Sequence, residues 1–439
     1  LLQAAQDKKI RALPGMGGKT EYSIIKGIEM LEQTSDKNTL GFVLPIAEEL
    51  LGYLRGYEKV IKASLAGSIR RGKPLVTDID ILVAAEEEAL VRAHMSKYRE
   101  VKKINGSATG HIQGLLHFDI PFEIIIVTPQ HFYSGLLRAT GSKEHLARLL
   151  KGVPTDTIQD AGSEEEIYRR FNLDFIPPEL REDQGEIEAA GQAGLPELVE
   201  LGDIRGDLHV HSSWSDGVSK IREAVDAARN LKYTYLAITD HSRSLAISGG
   251  LNEERLKLKG AEIDLLNQEW DDFTVFKGTE VDVLKDGSLD YSSELLQDLD
   301  VVIASIHTHF QLDKEKQTER IILAIKDDNV DIIGHLTGRL LNRRPAYELD
   351  IDRVFEAAAK NRIILEINSH PDRLDINAEL ARRAHQLDIK VSINSDAHHK
   401  NDLKLVKYGV LNARRGWLEK ADVINTRSRE DVIKYFRQS

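Results

Sequence analysis

Between residues 209 and 398 the chain carries His209-Val210-His211, Asp216, Asp240-His241, Glu280, Asp282, His307, His335, Asp396 and His398, where every His, Asp and Glu can donate nitrogen or oxygen to a metal. A His-x-His pair places both imidazoles on one side of a strand or its exit turn, as chelation of one ion requires. With carboxylates bridging, such a pocket holds roughly two to three ions. A multinuclear centre activates a water at neutral pH and clamps the attacking and leaving oxygens of an in-line phosphoryl displacement, so phosphoester hydrolysis is the natural chemistry. The sequence has 15 His and no Cys, which removes thiolate sites and disulfides and leaves His, Asp and Glu as ligands. Nitrogen and oxygen ligation suits Mn2+ and Zn2+ alike.

These residues become a site only if the fold gathers them. From Ile204 onward, strand-like runs recur at 204–210, 235–239, 274–280, 301–305, 330–334, 363–367 and 390–394, with helical segments between most of them. Alternation of this kind calls for parallel strands with crossover helices, closed as a (β/α)7 barrel. The ligand-type residues fall at the carboxyl ends of all these runs but the sixth, on the face where α/β barrels build their sites. A lone histidine at a strand end is more often a hydrogen-bonded core residue. This many polar groups at one end are costly to bury unless metal or hydrogen bonds satisfy them. Arg339 and Arg373 follow ligand-bearing ends and could grip a substrate phosphate, or could make surface ion pairs. His309, His370 and His399 read as outer or exposed groups, not ligands.

The front half holds a second constellation, Gly67-Ser68-Ile69-Arg70-Arg71-Gly72 followed by Asp78-Ile79-Asp80. Asp78 and Asp80 share one face of a strand, while Gly67, Ser68 and Arg71 could cradle phosphates. That suits nucleotidyl transfer with Mg2+ or Mn2+. The surrounding pattern is α+β, with helices near 40–55 and 86–98 and strands near 59–66, 77–84, 113–119 and 121–127. Residues 131–182 read as mostly helical, and 183–203, rich in Glu, Gln, Gly and Ala, as a linker. Residues 1–35 read as two short helices around a glycine turn. There Gly15, Gly17 and Lys19 have the form of a DNA-gripping helix-hairpin-helix or of a plain interhelical turn.

A length of 439 residues favours two or three domains, and 41% hydrophobic with 30% charged residues describes a soluble globular protein. No apolar run approaches a membrane span, so the expectation is a cytoplasmic protein without membrane contact. A net charge of −12 argues against broad electrostatic binding of nucleic acid, but a net count misses local basic strips and metal-neutralised carboxylates. The chain opens on Leu1-Leu2-Gln3-Ala4, inside a helical pattern and without Met, which points to further sequence upstream.

The segments DLHVHSSWSDG, ITDHS, GTEVDVLKDGSLDY, SIHTH, IIGHLTGR, EINSHPDRLD and NSDAHH resemble the PHP (polymerase and histidinol phosphatase) domain. The resemblance implies that His209, His211, Glu280 and Asp396 hold a first ion and Glu280, His307 and His335 a second. Asp216, His241 and His398 would hold a third, with Glu280 at the catalytic centre. The Gly-Ser motif with Asp78 and Asp80 resembles the nucleotidyltransferase palm of family X DNA polymerases. Adding the Gly15 turn, Thr140-Gly141-Ser142 and the IPPELRE exit at 176–182, nearly the whole chain is similar to a bacterial family X polymerase. Its amino-terminal lyase-type domain is not in this sequence. The resemblance implies catalytic roles for Asp78, Asp80 and Glu123, and substrate contacts for Gly67, Ser68, Arg71, Gly141 and Ser142.

Departures concentrate in the palm. Glu123 stands where a third aspartate is expected, and one extra methylene displaces a carboxylate by more than about 1 Å, which can cost on the order of 100-fold. Ile125 replaces an arginine, Arg138-Ala139 an aromatic pair at the sugar, and Leu146 and Leu150 the Asn and Arg expected at the nascent base pair or template. The stretch between Ser142 and Glu164 is short for a thumb.

The expectation is therefore a multidomain α+β and α/β chain. It comprises a helix-hairpin-helix remnant at 1–35, a nucleotidyltransferase-like palm at 36–130, a thumb at 131–182, a linker at 183–203 and a PHP barrel at 204–439. The barrel would act as a 3′–5′ exonuclease, with abasic-site endonuclease or 3′-phosphatase activity as companions. The palm, its polymerase impaired, would hold gapped, nicked or 3′ DNA ends and bind dNTPs weakly. The alternatives are a working gap-filling polymerase with an accessory nuclease, and a non-catalytic DNA-end scaffold.

Overall fold

The computed structural model describes residues 37–105 and 109–436 with a few positions before Lys37, so the turn of Gly15, Gly17 and Lys19 lies outside the described residues. The described chain divides after Pro196 into two compact units.

In the first unit the strands are β1 (Asn38–Thr39), β2 (Lys62–Leu65), β3 (Leu75–Val76), β4 (Ile79–Ala84), β5 (Val101–Ile104), β6 (His111–Leu116) and β7 (Pro121–Val127). β1 pairs with β3, and the others form one sheet in the order β2-β4-β7-β6-β5. Only β4 and β7 run parallel, which sets Asp80 beside Glu123. The helix Leu40–Arg55 repeats buried residues at helical spacing, Val43, Ala47, Leu50 and Leu54 among them, and so has one face to bury. β1, β3 and β5 are too short or too polar to have been expected.

Residues 183–203 are not an open linker. Glu186 begins a helix, Glu186–Gly191, accepts hydrogen bonds from the main-chain N–H of Asp183 (2.9 Å) and Gln184 (2.6 Å), and meets His145 Nδ1 at 2.6 Å. Glu186 and His145 are fully buried, and polar composition alone conceals a buried pair of this kind. Residues past Pro196 join the second unit, where the buried Val199 donates its N–H to Leu418 O at 2.9 Å.

The second unit is a parallel barrel of β8 (Gly206–Val210), β9 (Tyr235–Ile238), β10 (Thr274–Asp282), β11 (Val301–Ser305), β12 (Ile332–Ile333), β13 (Ile364–Asn368) and β14 (Val391–Asn394), paired in chain order. A bridge from Val210 to Ala397 and the His211 N–H to Ala397 O bond of 2.8 Å bring the first strand to the last. β12 is short, and two residues past its end His335 has left the extended conformation at φ +27°. Alternate strand residues separate into two layers. Leu208, Tyr235, Ala237, Phe276, Ile303, Ile332 and Ile364 form an inner cluster with Val432 and Phe436 of the last helix, while Leu236, Ile238, Val302 and Leu365 pack outward on helices. Buried on both faces, these strands read as continuous apolar runs. In β8 the register shifts between Asp207 and Val210, so Leu208 and Val210 fall in different layers although two apart. A shift of this kind re-aims side chains at a strand end, here His209 and His211.

Candidate metal centre

Glu280, near the end of β10, is fully buried and sits among five imidazoles. Its Oε2 lies 3.4 Å from His209 Nε2, 3.5 Å from His211 Nε2 and 3.0 Å from His241 Nδ1. Its Oε1 lies 3.3 Å from His307 Nε2 and 2.9 Å from His335 Nε2. Asp396 Oδ1 approaches His211 Nε2 at 3.1 Å and His209 Nε2 at 3.5 Å, and those two ring nitrogens face each other at 3.2 Å. On the solvent side, Asp216 meets His241 Nε2 and His398 Nε2 at 3.4 Å each and His211 Nδ1 at 3.7 Å.

The donors group as His209, His211 and Asp396; as His241, Glu280 and His307; and as His211, Asp216, His241 and His398. All the ligand-type residues expected from the sequence are thus gathered at one end of the barrel, with His211 and His241 each shared between two groups. The set fits metal. An ion with bonds of about 2.0–2.1 Å in tetrahedral geometry spaces its ligand atoms about 3.3 Å apart, which is the spacing seen. The buried Nδ1 atoms of His211 and His335 have no hydrogen-bond partner. His335 and Asp396 both hold left-handed backbone, φ +27° and +53°.

A ring of carboxylates and amides stands behind these donors. Glu366 Oε1 lies 2.7 Å from His209 Nδ1, and its Oε2 accepts the His335 N–H at 2.8 Å. Asn368 Nδ2 donates to Asp396 Oδ2 at 2.9 Å, and Asp282 Oδ1 takes His307 Nδ1 at 2.6 Å. Each such bond fixes which ring nitrogen faces the pocket. Glu366 and Asn368 were not anticipated as site residues. The available signal was an acid and an amide, Glu366 and Asn368, inside the wholly buried β13.

Burial works against charge on these imidazoles, but the carboxylates prevail. Glu280 with Asp216 holds His241 up to about 10, and Glu280 with Asp282 holds His307 up to about 9. Asp216 and Asp396 hold His398 up to about 9, and Glu366 leads the groups raising His209. His211 goes the other way, pushed to about 4 by burial and by His241 and His398. Against burial, the neighbouring histidines keep Glu280, Asp396 and Asp216 well below the usual carboxylate range. Without an ion, protons on imidazoles balance the carboxylates; divalent ions would replace those protons.

The two arginines differ. Arg339 donates to the carbonyls of Arg373 (2.9 Å) and Leu374, so it braces that loop instead of reaching toward a phosphate. Arg373 has its Nε 3.8 Å from Asp396 Oδ2, at the edge of the cluster.

In the first unit, Asp80 and Glu123 are neighbours across β4 and β7, and Gly67 (φ +56°) closes over them. A Cβ on Gly67 would stand 1.7 Å from Asp80 Oδ2, so only glycine permits the approach. Burial, then Asp78 and Glu123, push Asp80 up to about 7 against the pull of Arg71. Ser68 Oγ is buried without a partner. Several of the expected palm residues also have partners within the protein. Arg71 is engaged by Glu182 (Nε to Oε1, 2.9 Å) and the Thr140 carbonyl (2.7 Å), which draws it into the structure around 140–182. Ser142 caps the helix Lys143–Leu149 by accepting the His145 N–H at 3.1 Å, and a Cβ on Gly141 would come within 2.9 Å of Leu146, so both serve the turn. Glu123 is itself held from β6, its Oε1 2.7 Å from Gln113 Nε2 and 3.0 Å from His111 Nδ1.

Comparison with known proteins gives matches on both units. Residues 207–370 match the PHP domain model. The DNA polymerase/3′-5′ exonuclease PolX of Bacillus subtilis (strain 168) is 38% identical over 100% of this chain and 80% of its own length. A probable phosphatase of Caldanaerobacter subterraneus subsp. tengcongensis is 30% identical over 44% of this chain and 75% of its own. A probable phosphatase of Thermoanaerobacter sp. (strain X514) is 32% identical over 45% of this chain and 80% of its own. Among the described residues, no helix is long and apolar enough to cross a membrane.

Proposed function

The chain belongs to the bacterial family X DNA polymerases that carry a PHP domain, and from that membership we propose that its principal working centre is the barrel, as a phosphodiesterase that removes nucleotides from DNA 3′ ends. The observation that carries the proposal is Glu280, buried and within 3.5 Å of the ring nitrogens of His209, His211, His241, His307 and His335. Two to three Mn2+ or Zn2+ ions would be held, by His209, His211 and Asp396, by Glu280, His307, His335 and His241, and by Asp216, His241, His211 and His398. When bound, they supply the activated water and the positive charge that in-line displacement at phosphorus needs.

The chain's own residues do the rest. Glu366 and Asp282 keep the Nε2 lone pairs of His209 and His307 turned into the pocket. Arg373, at the rim, is placed to take a non-bridging phosphate oxygen. The partly exposed Asp216 and His398 form the open side through which a strand end enters. The palm, with Glu123 held by β6 and Arg71 held by Glu182, would position DNA and polymerise poorly. Abasic-site cleavage and 3′-phosphate removal are companion activities of the same centre.

A 5′-labelled primer in a gapped duplex, incubated with Mn2+ and no dNTP, tests this reading. A ladder shortened from the 3′ end is expected, and an intact primer rejects it. A second reading, a working gap-filling polymerase, draws on the unpartnered Ser68 Oγ, next in sequence to the Gly67 that packs on Asp80. It predicts dNTP incorporation that Asp78→Ala abolishes.

A further inference from the structure

The loop between His241 and Leu251 carries the most exposed large apolar side chain among those described, Ile247, at 94% exposure. The loop is clamped at its base. Ser242 N–H donates to Glu280 O (3.1 Å), Leu251 N–H to His241 O (2.8 Å) and Ser244 N–H to Asp290 Oδ2 (2.7 Å). Ser244 Oγ donates to Asp282 Oδ2 at 2.6 Å, the carboxylate whose other oxygen holds His307. The Arg255 guanidinium donates to Gly249 O (2.9 Å) and to Trp214 O, joining this loop to the one that bears Asp216. On that second loop Val218 is 71% exposed, and its N–H donates to His398 O at 2.8 Å. Two aliphatic side chains thus stand in water on loops anchored next to the donors: Ile247 between Ser244 and Gly249, and Val218 two residues from Asp216 and bonded to His398 O.

A lone exposed aliphatic residue is unremarkable on a protein surface. Two on loops anchored to the donors of a buried phosphoesterase centre have a use, because a paired 3′ end cannot deliver its last phosphodiester to a recessed pocket until the terminal base leaves the stack. Aliphatic wedges between base steps assist such unstacking. We propose that Ile247, supported by Val218, is a wedge that opens the terminal base pair of a duplex 3′ end as the strand enters the barrel. This rests on the DNA-end reading of the barrel and adds the structure of the end that it handles. Neither residue belongs to the metal-binding set.

The test compares wild type, Ile247→Ala, Ile247→Leu and Val218→Ala with Mn2+ on three substrates: a fully paired 3′ end, the same strand with its last three bases unpaired, and bis(p-nitrophenyl) phosphate. Ile247→Ala should slow removal from the paired end about tenfold while leaving the unpaired end within about twofold. The small diester should be cleaved at the wild-type rate, and Ile247→Leu should restore paired-end activity. Equal rates for wild type and Ile247→Ala on the paired end would overturn the wedge, as would a parallel loss on all three substrates. Wild-type protein that cleaves the diester but neither DNA would instead overturn the DNA-end reading, and the wedge with it.

Discussion

The barrel and the palm both gather carboxylates, but they differ in what surrounds them. In the barrel, groups behind the donors push lone pairs toward the pocket: Glu366 on His209, Asp282 on His307, Asn368 on Asp396. In the palm, the neighbours bond to the candidate groups themselves, with Gln113 and His111 on the same oxygen of Glu123 and with Glu182 on Arg71. A set of ligand-type residues is therefore not yet a site. The hydrogen bonds behind those residues decide whether they present themselves to a ligand or to the protein.

The contrast can be broken most severely at the barrel. His209→Ala/His211→Ala removes donors from two of the groups and should lower 3′ shortening by at least about a thousandfold, read as release of labelled nucleotide, with fewer ions per chain by elemental analysis. Glu366→Ala should weaken metal binding by about 10–100-fold, while Glu366→Gln, which can still accept from His209, should lose less. Metal titrations against a chelator distinguish the two, and equal affinity in both variants and wild type would remove the supporting role given to Glu366.

Acidity probes the same pocket more gently. His241, held near 10, and His307 and His398, held near 9, carry protons in the metal-free protein at neutral pH, and metal must displace them. Affinity should rise by up to about tenfold per pH unit for each proton displaced between pH 6 and 9. The stability of the metal-free barrel has the opposite sign. Groups with raised folded-state values stabilise fully below the unfolded imidazole range of about 6.5, and that contribution is lost as pH rises through 9 to 10. Thermal melts of chelated protein should therefore fall over that interval. The smallest effect is expected in the palm. Gln113→Ala removes one of the two partners of Glu123, leaving His111, and leaves Arg71 tied to Glu182, so primer extension should gain less than about tenfold and 3′ shortening should change less than about twofold.

Much of the barrel was legible because its signals are local: recurring apolar runs, all but the sixth ending in a donor side chain. The palm strands β4 and β7 were legible for the same reason. The fates of Arg71, Arg339 and Ser142 were not, since each depends on a partner brought near only by folding: Glu182, the 373–374 carbonyls and the 142–145 turn. The stretch 183–196 reads as polar linker because the His145 that buries Glu186 lies far away in sequence. Glu366 lies in the middle of β13 and not at its carboxyl end, so its position carries no ligand signal.

The central claim is that DNA-end chemistry resides in the barrel and not in the palm. One measurement addresses it directly: a labelled primer-template with Mn2+ and dNTPs, incubated with wild type, Asp78→Ala and His209→Ala/His211→Ala. Shortening by wild type and Asp78→Ala alike, abolished only in the double histidine variant, is the predicted result. Net extension by wild type that disappears in Asp78→Ala, with shortening untouched in the histidine variant, would contradict it.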